Sequence, residues 1–174
     1  KFGPIWGNGG EFSDTWTERM RLWTEETIER GSKTGVIDKP LADLANKLYK
    51  PSYISLETVL ASGNVVFQYY KAIFAVSYLT RTVRVGDVLI QYRQIKDEIL
   101  TNTEGIEQKD GYFIATLERA FLDAIYIYKN YHFDNLGAIN WEKVEELKKI
   151  YQSKAFEKIV KEYYKDYKED YDIK

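Results

Sequence analysis

Gly111–Tyr128 reads GYFIATLERAFLDAIYIY, and this stretch decides the fold. Tyr112, Phe113 and Ile114 are predicted to end a strand, and Thr116 stands where a helix needs an N-cap hydroxyl. Glu118 falls in the first turn, where the positive end of the helix dipole favours a carboxylate. Leu117, Ala120, Phe121, Ala124, Ile125 and Tyr128 then recur at helical spacing, and Leu122 widens the stripe. Each large apolar side chain fully buried here contributes roughly 1.5–3 kcal/mol. A helix so apolar has to lie between other elements, so it is predicted to be the central core helix.

Outward from it the period changes. Ile73–Leu79 reads as a strand, and Val83–Ile90 as a hairpin with Gly86-Asp87 as a type II′ turn. A second hairpin is predicted at Lys109-Asp110-Gly111, pairing Thr101–Glu107 with Tyr112–Ile114. Leu41, Leu44, Ala45 and Leu48 make a short helix ending before Pro51, with Lys39-Pro40 as a hinge ahead of it. Ser55 is placed to cap a further helix that buries Leu56, Val59 and Leu60 and stops at Gly63. Lys129–Gly137 reads as a polar loop. Asn140 caps a helix with Trp141, Val144, Leu147 and Tyr151 inward. Ser153 breaks or restarts it, and Phe156, Ile159, Val160, Tyr163 and Tyr167 continue the apolar face. From Lys154 to Lys174 six lysines interleave with six acids, the pattern of a solvated helix rather than a basic tail.

Bulk composition narrows the classes. The 174 residues hold one ordinary domain, or a small one beside a medium one. A formal charge of −2 exerts no general pull on nucleic acid or membrane, and the absence of cysteine excludes disulfides and thiolate metal sites. No run of 18 apolar residues and no leader pattern is present in the sequence, so the expected location is cytoplasmic, away from membranes. The chain begins at Lys1 without methionine, which suggests a fragment. Its fifteen tyrosines and eight phenylalanines read as core and half-buried sheet residues before they read as a nucleic-acid stacking surface.

Three blocks resemble one family. IATLERAFLDAIYI resembles the "I-A-[ST]-P-E-K-A-L-L-D-L-L-Y" segment of AbiEi-type antitoxins, predicted transcriptional regulators. ANKLYKPSYISLETVLASG, Ala45–Gly63, resembles "A-x-x-L-[YR]-x-P-S-Y-I-S-L-x-S-A-L" of the same family. SYLTRTVRVGDVLIQYRQIK, Ser77–Lys96, resembles its "T-x-x-[RK]-T-[RK]-x-[IF]-x-x-x-G-x-x-[IF]-x-[YF]" hairpin. The blocks occur in family order, and the resemblance spans Leu41 to Tyr167. It implies the antitoxin and transcriptional autoregulator of a bacterial toxin–antitoxin (abortive infection) operon. In such a pair a winged helix represses the shared promoter, and the C-terminal domain neutralises a nucleotidyltransferase-like toxin encoded beside it.

The expected fold is therefore α+β. A small, helical, degenerate winged-helix-like segment over 1–38 precedes an AbiEi-like antitoxin or effector domain over 39–174, with a mostly antiparallel sheet packed by helices. In the first segment Ile5 and Trp6 are candidate anchors, Thr15 and Glu18 form a capping box, and Trp16, Met20, Trp23 and Thr27 lie on one helix face. The family's basic wing, "R-I-R-R-G-[IV]-Y-x-L", is replaced by TIERGSKTGVID, which keeps only Arg30-Gly31. Lys1–Pro40 carries six basic and seven acidic residues, a poor footprint for neutralising phosphates. Arg19, Arg21 and Lys33 are the candidates for contact with operator DNA. Arg81, Arg84, Arg93 and Lys96 are the candidates for binding a partner, the cognate toxin or its target, although alternating strand positions also read simply as a solvated face. A homodimer is expected where an operator mirrors a protein two-fold.

No catalytic residue, metal or cofactor is expected. Ser52 and Ser55 read as capping serines beside a single histidine, His132, itself a surface or tyrosine-packed residue. Asp87 with Gln94-x-Lys96 echoes a metal-dependent nuclease, but the intervening strand of about 20 Å keeps the two from sharing an ion. The chain is thus read as a binding protein and not an enzyme. The alternatives are an effector-only interaction domain without DNA binding and, behind it, a nucleic-acid-processing enzyme.

Overall fold

The structure, a computed structural model, describes residues 37–68 and 70–172. The expectations for Arg19, Arg21, Lys33, Ile5, Trp6, the capping box, the Trp16 helix and the wing remnant lie outside the described residues. The rest is α+β, as expected, built on one six-stranded sheet.

Helix α1 (Lys39–Leu48) starts earlier than the apolar spacing suggested. Asp38 caps it, its carboxylate accepting from Leu41 N at 3.2 Å, and Pro40 sits in the first turn, where a missing N–H costs nothing. Lys39-Pro40 is therefore a helix start and not a hinge. Strand β1 (Ser52–Ile54) leads to α2 (Glu57–Ser62). Strands β2 (Ala72–Ser77), β3 (Arg81–Val85) and β4 (Val88–Gln94) follow, then a short α3 (Asp97–Leu100), β5 (Ile106–Lys109) and β6 (Tyr112–Ala115). The apolar helix is α4 (Leu117–Tyr128), with Thr116 accepting from Arg119 N at 3.3 Å as its cap. A 3₁₀ turn (Leu136–Ala138) precedes α5 (Trp141–Leu147), which passes through a second 3₁₀ turn (Lys148–Tyr151) into α6 (Lys154–Asp170). Asn140 caps α5 through Glu142 N and Lys143 N, and Ser153 caps α6 through Phe156 N, so Ser153 restarts the helix.

The strand order is β3-β4-β2-β1-β6-β5. Three neighbouring pairs are antiparallel (β3/β4, β2/β1, β6/β5) and two are parallel (β4/β2, β1/β6). Both hairpins turn where their glycines predict. Gly86 at φ 61 is the first residue of one turn, and Asp110 at φ 39 with Gly111 at φ 95 makes the other. The second hairpin is shorter than expected, because only Ile106–Lys109 pairs with β6. Residues 101–105 stay outside the strand, and the carbonyls of Asn102 and Glu104, with that of Ile99 in α3, turn toward the Arg119 side chain.

One face of the sheet receives α1. Tyr92 Oη donates to Ala45 O at 2.6 Å, and Phe113 N donates to Asn46 Oδ1 at 2.5 Å. The other face receives α4, with α2, α5 and α6 packed around it. Ala120, Phe121, Leu122, Ala124 and Ile125 are fully buried there, as the stripe requires. Lys129–Gly137 is less polar than its composition suggests. Phe133 and Leu136 are buried, and the Phe133 ring lies 4.7 Å from Phe121 and 5.4 Å from Tyr163.

Candidate partner-binding face

Polar chemistry concentrates in two places, and the first is wholly internal. Arg119 and Asp123 are one turn apart on α4, both 0% exposed, with Arg119 Nε 3.5 Å from Asp123 Oδ1. The guanidinium donates to Ile99 O (2.7 Å), Asn102 O (3.3 Å) and Glu104 O (2.5 Å), and to Tyr53 Oη (3.3 Å). Tyr53 Oη and Ser55 Oγ each donate to Asp123 Oδ2 at 2.9 Å, and Tyr151 Oη donates to Oδ1 at 2.6 Å. Burial pushes the Asp123 carboxyl above its usual range, against the pull of Arg119 and the three hydroxyls. Burial works to lower the Arg119 pKa, but Asp123 and the neighbouring tyrosines raise it, so the guanidinium stays charged.

This network ties strand β1, the 99–104 segment and the 3₁₀ turn before α6 to the central helix. It also corrects the role of Ser55. The N-cap of α2 is Leu56, at φ 57 and without a side-chain bond, because the Ser55 hydroxyl is bonded to Asp123. Glu118, in the first turn of α4, is buried as well and accepts from Asn140 N at 3.1 Å.

The second place is the β3–β4 end of the sheet. Val88, Ile90 and Tyr92 of β4 are buried on the α1 side, while Leu89, Gln91 and Arg93, on the α4 side, are only partly covered. Apart from isolated contacts, β3 packs only on β4, and β4 only on β2 and β3, among the described elements. Register fixes which side chains share the open face. Arg84 pairs with Leu89, and Thr82 with Gln91, so both point with Arg93 to the α4 side. Arg84 is exposed, and about 13 Å of strand separates its register partner from Arg93.

Arg93 occupies the inner end of this face. Its guanidinium carbon lies 5.8 Å from the Tyr128 ring centre, and its Nε is buried without a hydrogen-bond partner. Tyr128 Oη donates to Glu57 Oε2 at 3.1 Å, and the Tyr128 and Tyr131 rings stack at 5.3 Å. Burial raises the Glu57 carboxyl above its ordinary value, while Tyr128 and Arg93 pull it down less strongly.

The four partner candidates do not gather in one place. Arg81 pairs with Tyr92 and points to the α1 side, where it lies 5.8 Å over the Tyr49 ring. Lys96 is exposed at the N-cap position of α3, beyond the end of β4. Only Arg84 and Arg93 share a face. Asp87 sits in the turn between β3 and β4, with all of β4 between it and Lys96. His132 is 89% exposed, 3.7 Å from Asp134. Among the described residues no three His, Asp or Glu side chains gather in a way that could hold a metal ion, and no helix is long and apolar enough to cross a membrane.

A separate cavity of about 250 Å³ lies between the 131–136 loop and α6, floored by Tyr131, Phe133 and Tyr163 and rimmed by Asp166, Glu169 and Asp170. The Tyr163 hydroxyl is committed to the Tyr131 backbone, and Glu169 is 3.6 Å from Lys165.

Sequence reading assigns Arg119, Asp123 and Glu57 no functional role and counts Tyr128 only in the apolar stripe. The i,i+4 spacing of Arg119 and Asp123 within an otherwise apolar helix was the available signal. Comparisons with family models, with curated proteins and with solved structures each return no match.

Proposed function

We propose that this chain is a binding protein rather than an enzyme: the antitoxin and transcriptional autoregulator of a bacterial toxin–antitoxin operon, acting in the cytoplasm. The three blocks resembling AbiEi-type antitoxins support that reading. Its partners are then the nucleotidyltransferase-like toxin encoded beside it, or that toxin's target, and operator DNA contacted through Arg19, Arg21 and Lys33. A homodimer matches a two-fold operator.

The structural observation that carries a binding role is the open β3–β4 face, where Arg84 and Arg93 stand without an ion-pair partner among the described residues. The buried carboxylate, tyrosines and serine of the α4 network are bonded to one another and serve the fold. A second reading, an effector-only interaction domain without DNA binding, is favoured by the seven acids against six bases over Lys1–Pro40.

The test is a titration of the full chain against DNA from upstream of its own gene, at several salt concentrations and with scrambled DNA as control. Growth of cells co-expressing the neighbouring toxin is measured in parallel. Sequence-preferring binding that weakens steeply with salt, together with rescued growth, is expected of the full antitoxin-regulator. Rescue without DNA binding selects the effector-only reading. Neither result removes both.

A further inference from the structure

Charge is distributed unevenly along this chain. Residues 70–96 carry Lys71, Arg81, Arg84, Arg93 and Lys96 against Asp87 alone, a formal +4 within a chain of −2, which leaves −6 on the rest. That segment supplies β2, β3 and β4, so the positive charge lies at one end of the sheet; α2 packs on β2, and among the described helices none packs on β3 or β4 beyond isolated contacts. Arg93 adds a local demand. Its guanidinium lies against the Tyr128 ring and hydroxyl and has no carboxylate within ion-pair distance among the described residues, so its charge has no close counter-charge. Glu57 fills that role only from a distance: Arg93 pulls its carboxyl pKa down, but the carboxylate accepts from Tyr128 Oη and no ion pair within 4.0 Å joins it to Arg93. Arg84, at the far end of the same face, is exposed and unpaired among the described residues.

We infer that this face docks an acidic segment of a protein partner, with one carboxylate on Arg93 and a second on Arg84. The inference rests on the binding reading above and names the partner's chemistry. A separation of about 13 Å corresponds to carboxylates about four residues apart in an extended segment. Arg93 takes its carboxylate end-on, on its two terminal nitrogens, since its Nε is buried; that fork is a geometry a guanidinium offers and an ammonium does not.

Nucleic acid fits this face less well. A DNA duplex places a charge about every 1.7 Å, so two arginines about 13 Å apart leave most phosphates uncompensated. Single strands need ring faces to stack on, and the Tyr128 ring is already covered by Arg93 and Tyr131. The edge strand β3 favours a protein as well, since its outer backbone groups can hydrogen-bond an extended chain laid beside them. Arg81 belongs to the opposite face and takes no part.

The test is fluorescence anisotropy of the full chain with two labelled probes, an eight-residue polyglutamate peptide and a single-stranded DNA of matched charge, at low and at physiological salt. Saturable peptide binding is expected. Arg93→Met should weaken it about tenfold and Arg84→Ala about threefold, with Arg81→Ala within about twofold of the parent. Arg93→Lys should recover little, since the fork is lost while the charge is kept. Thermal melting checks each variant, and Arg84→Ala, at an exposed strand position, decides the matter alone if Arg93→Met does not fold.

Absence of peptide binding at low salt overturns the inference. So does equal loss in Arg81→Ala, or preferred binding of the DNA probe through the same two arginines. Toxin rescue is a separate readout. Rescue that fails while peptide binding follows Arg84 and Arg93 removes the antitoxin reading alone, and the reverse pattern removes this inference alone.

Discussion

Replacing Arg119 by methionine keeps the side chain's length and removes its charge, and the structure sets the cost. Asp123 would be left as a fully buried carboxylate without a counter-charge, a defect of about 3–5 kcal/mol when one member of a buried pair is removed. The carbonyl of buried Ile99 would lose its donor, adding about 1–3 kcal/mol, while Asn102 and Glu104 lie where water can take over. A loss of about 5 kcal/mol is thus expected, against a typical total of about 5–15 kcal/mol. Guanidinium unfolding followed by tryptophan fluorescence measures it, with the slope checked for constancy. In the double variant Arg119→Met/Asp123→Leu no unpaired charge remains, and it should be about 2–3 kcal/mol more stable than the sum of the single losses. The Arg119→Met penalty should also be smaller near pH 4 than at pH 7, because a protonated Asp123 needs no counter-charge. Additive single losses, or an Arg119→Met cost below about 1 kcal/mol, would refute the view that this pair holds β1, the 99–104 segment and the 148–151 turn to α4.

Two further outcomes follow from burial and close packing. Burial raises the folded-state pKa of Glu57 above its ordinary 4.5. The unfolded chain therefore releases this proton first, and stability falls as pH rises from about 4.5 through the raised folded pKa. Glu57→Gln should abolish that part of the decline in a series of urea melts between pH 4 and 7, and an unchanged slope would count against it. Gly63→Ala would place a Cβ 2.3 Å from Leu117 Cδ1 and 3.2 Å from its Cγ, so the Leu117 side chain must move. A loss of about 1–3 kcal/mol is expected in chemical denaturation, and recovery in Gly63→Ala/Leu117→Ala would identify the clash as its cause.

The elements that sequence located were those whose signals are local. A two-residue turn needs a residue comfortable at positive φ, and Gly86 and Gly111 supply it within four residues of the strands they join. The α4 stripe, the Thr116 and Asn140 caps and the restart at Ser153 are likewise settled within one or two turns. Sheet order is not, because β4 lies parallel beside β2 with β3 displaced to the edge, and β1 meets β6 some sixty residues away. Ser55 shows the same limit from the other side. A serine before a short helix has an obvious local use, and the carboxylate that claims it instead stands 68 residues later.

The arginines of the hairpin were more legible than our grouping of them allowed. Arg81 and Arg84 are three residues apart on one strand, an odd spacing that places them on opposite faces whatever the strand packs against. With Gly86-Asp87 as a two-residue turn, Val85 must face Val88, so Arg84 faces Leu89, and Arg93 follows on that side at an even spacing. Parity alone therefore separates Arg81 from the pair Arg84 and Arg93. What parity does not supply is which face is open, since that depends on where α1, α2 and α4 settle. The same distinction explains why Arg119 went unread. An arginine four residues before an aspartate is an exposed ion pair on most helices, and only the apolar residues all round α4 oblige this one to turn inward, where its terminal nitrogens donate to three backbone carbonyls and a tyrosine while its Nε, without a hydrogen bond, stands 3.5 Å from the Asp123 carboxylate. Arg93 has only the Tyr128 hydroxyl and ring against it and no carboxylate within ion-pair distance among the described residues, and that difference is the physical ground for assigning one arginine to the fold and the other to a partner.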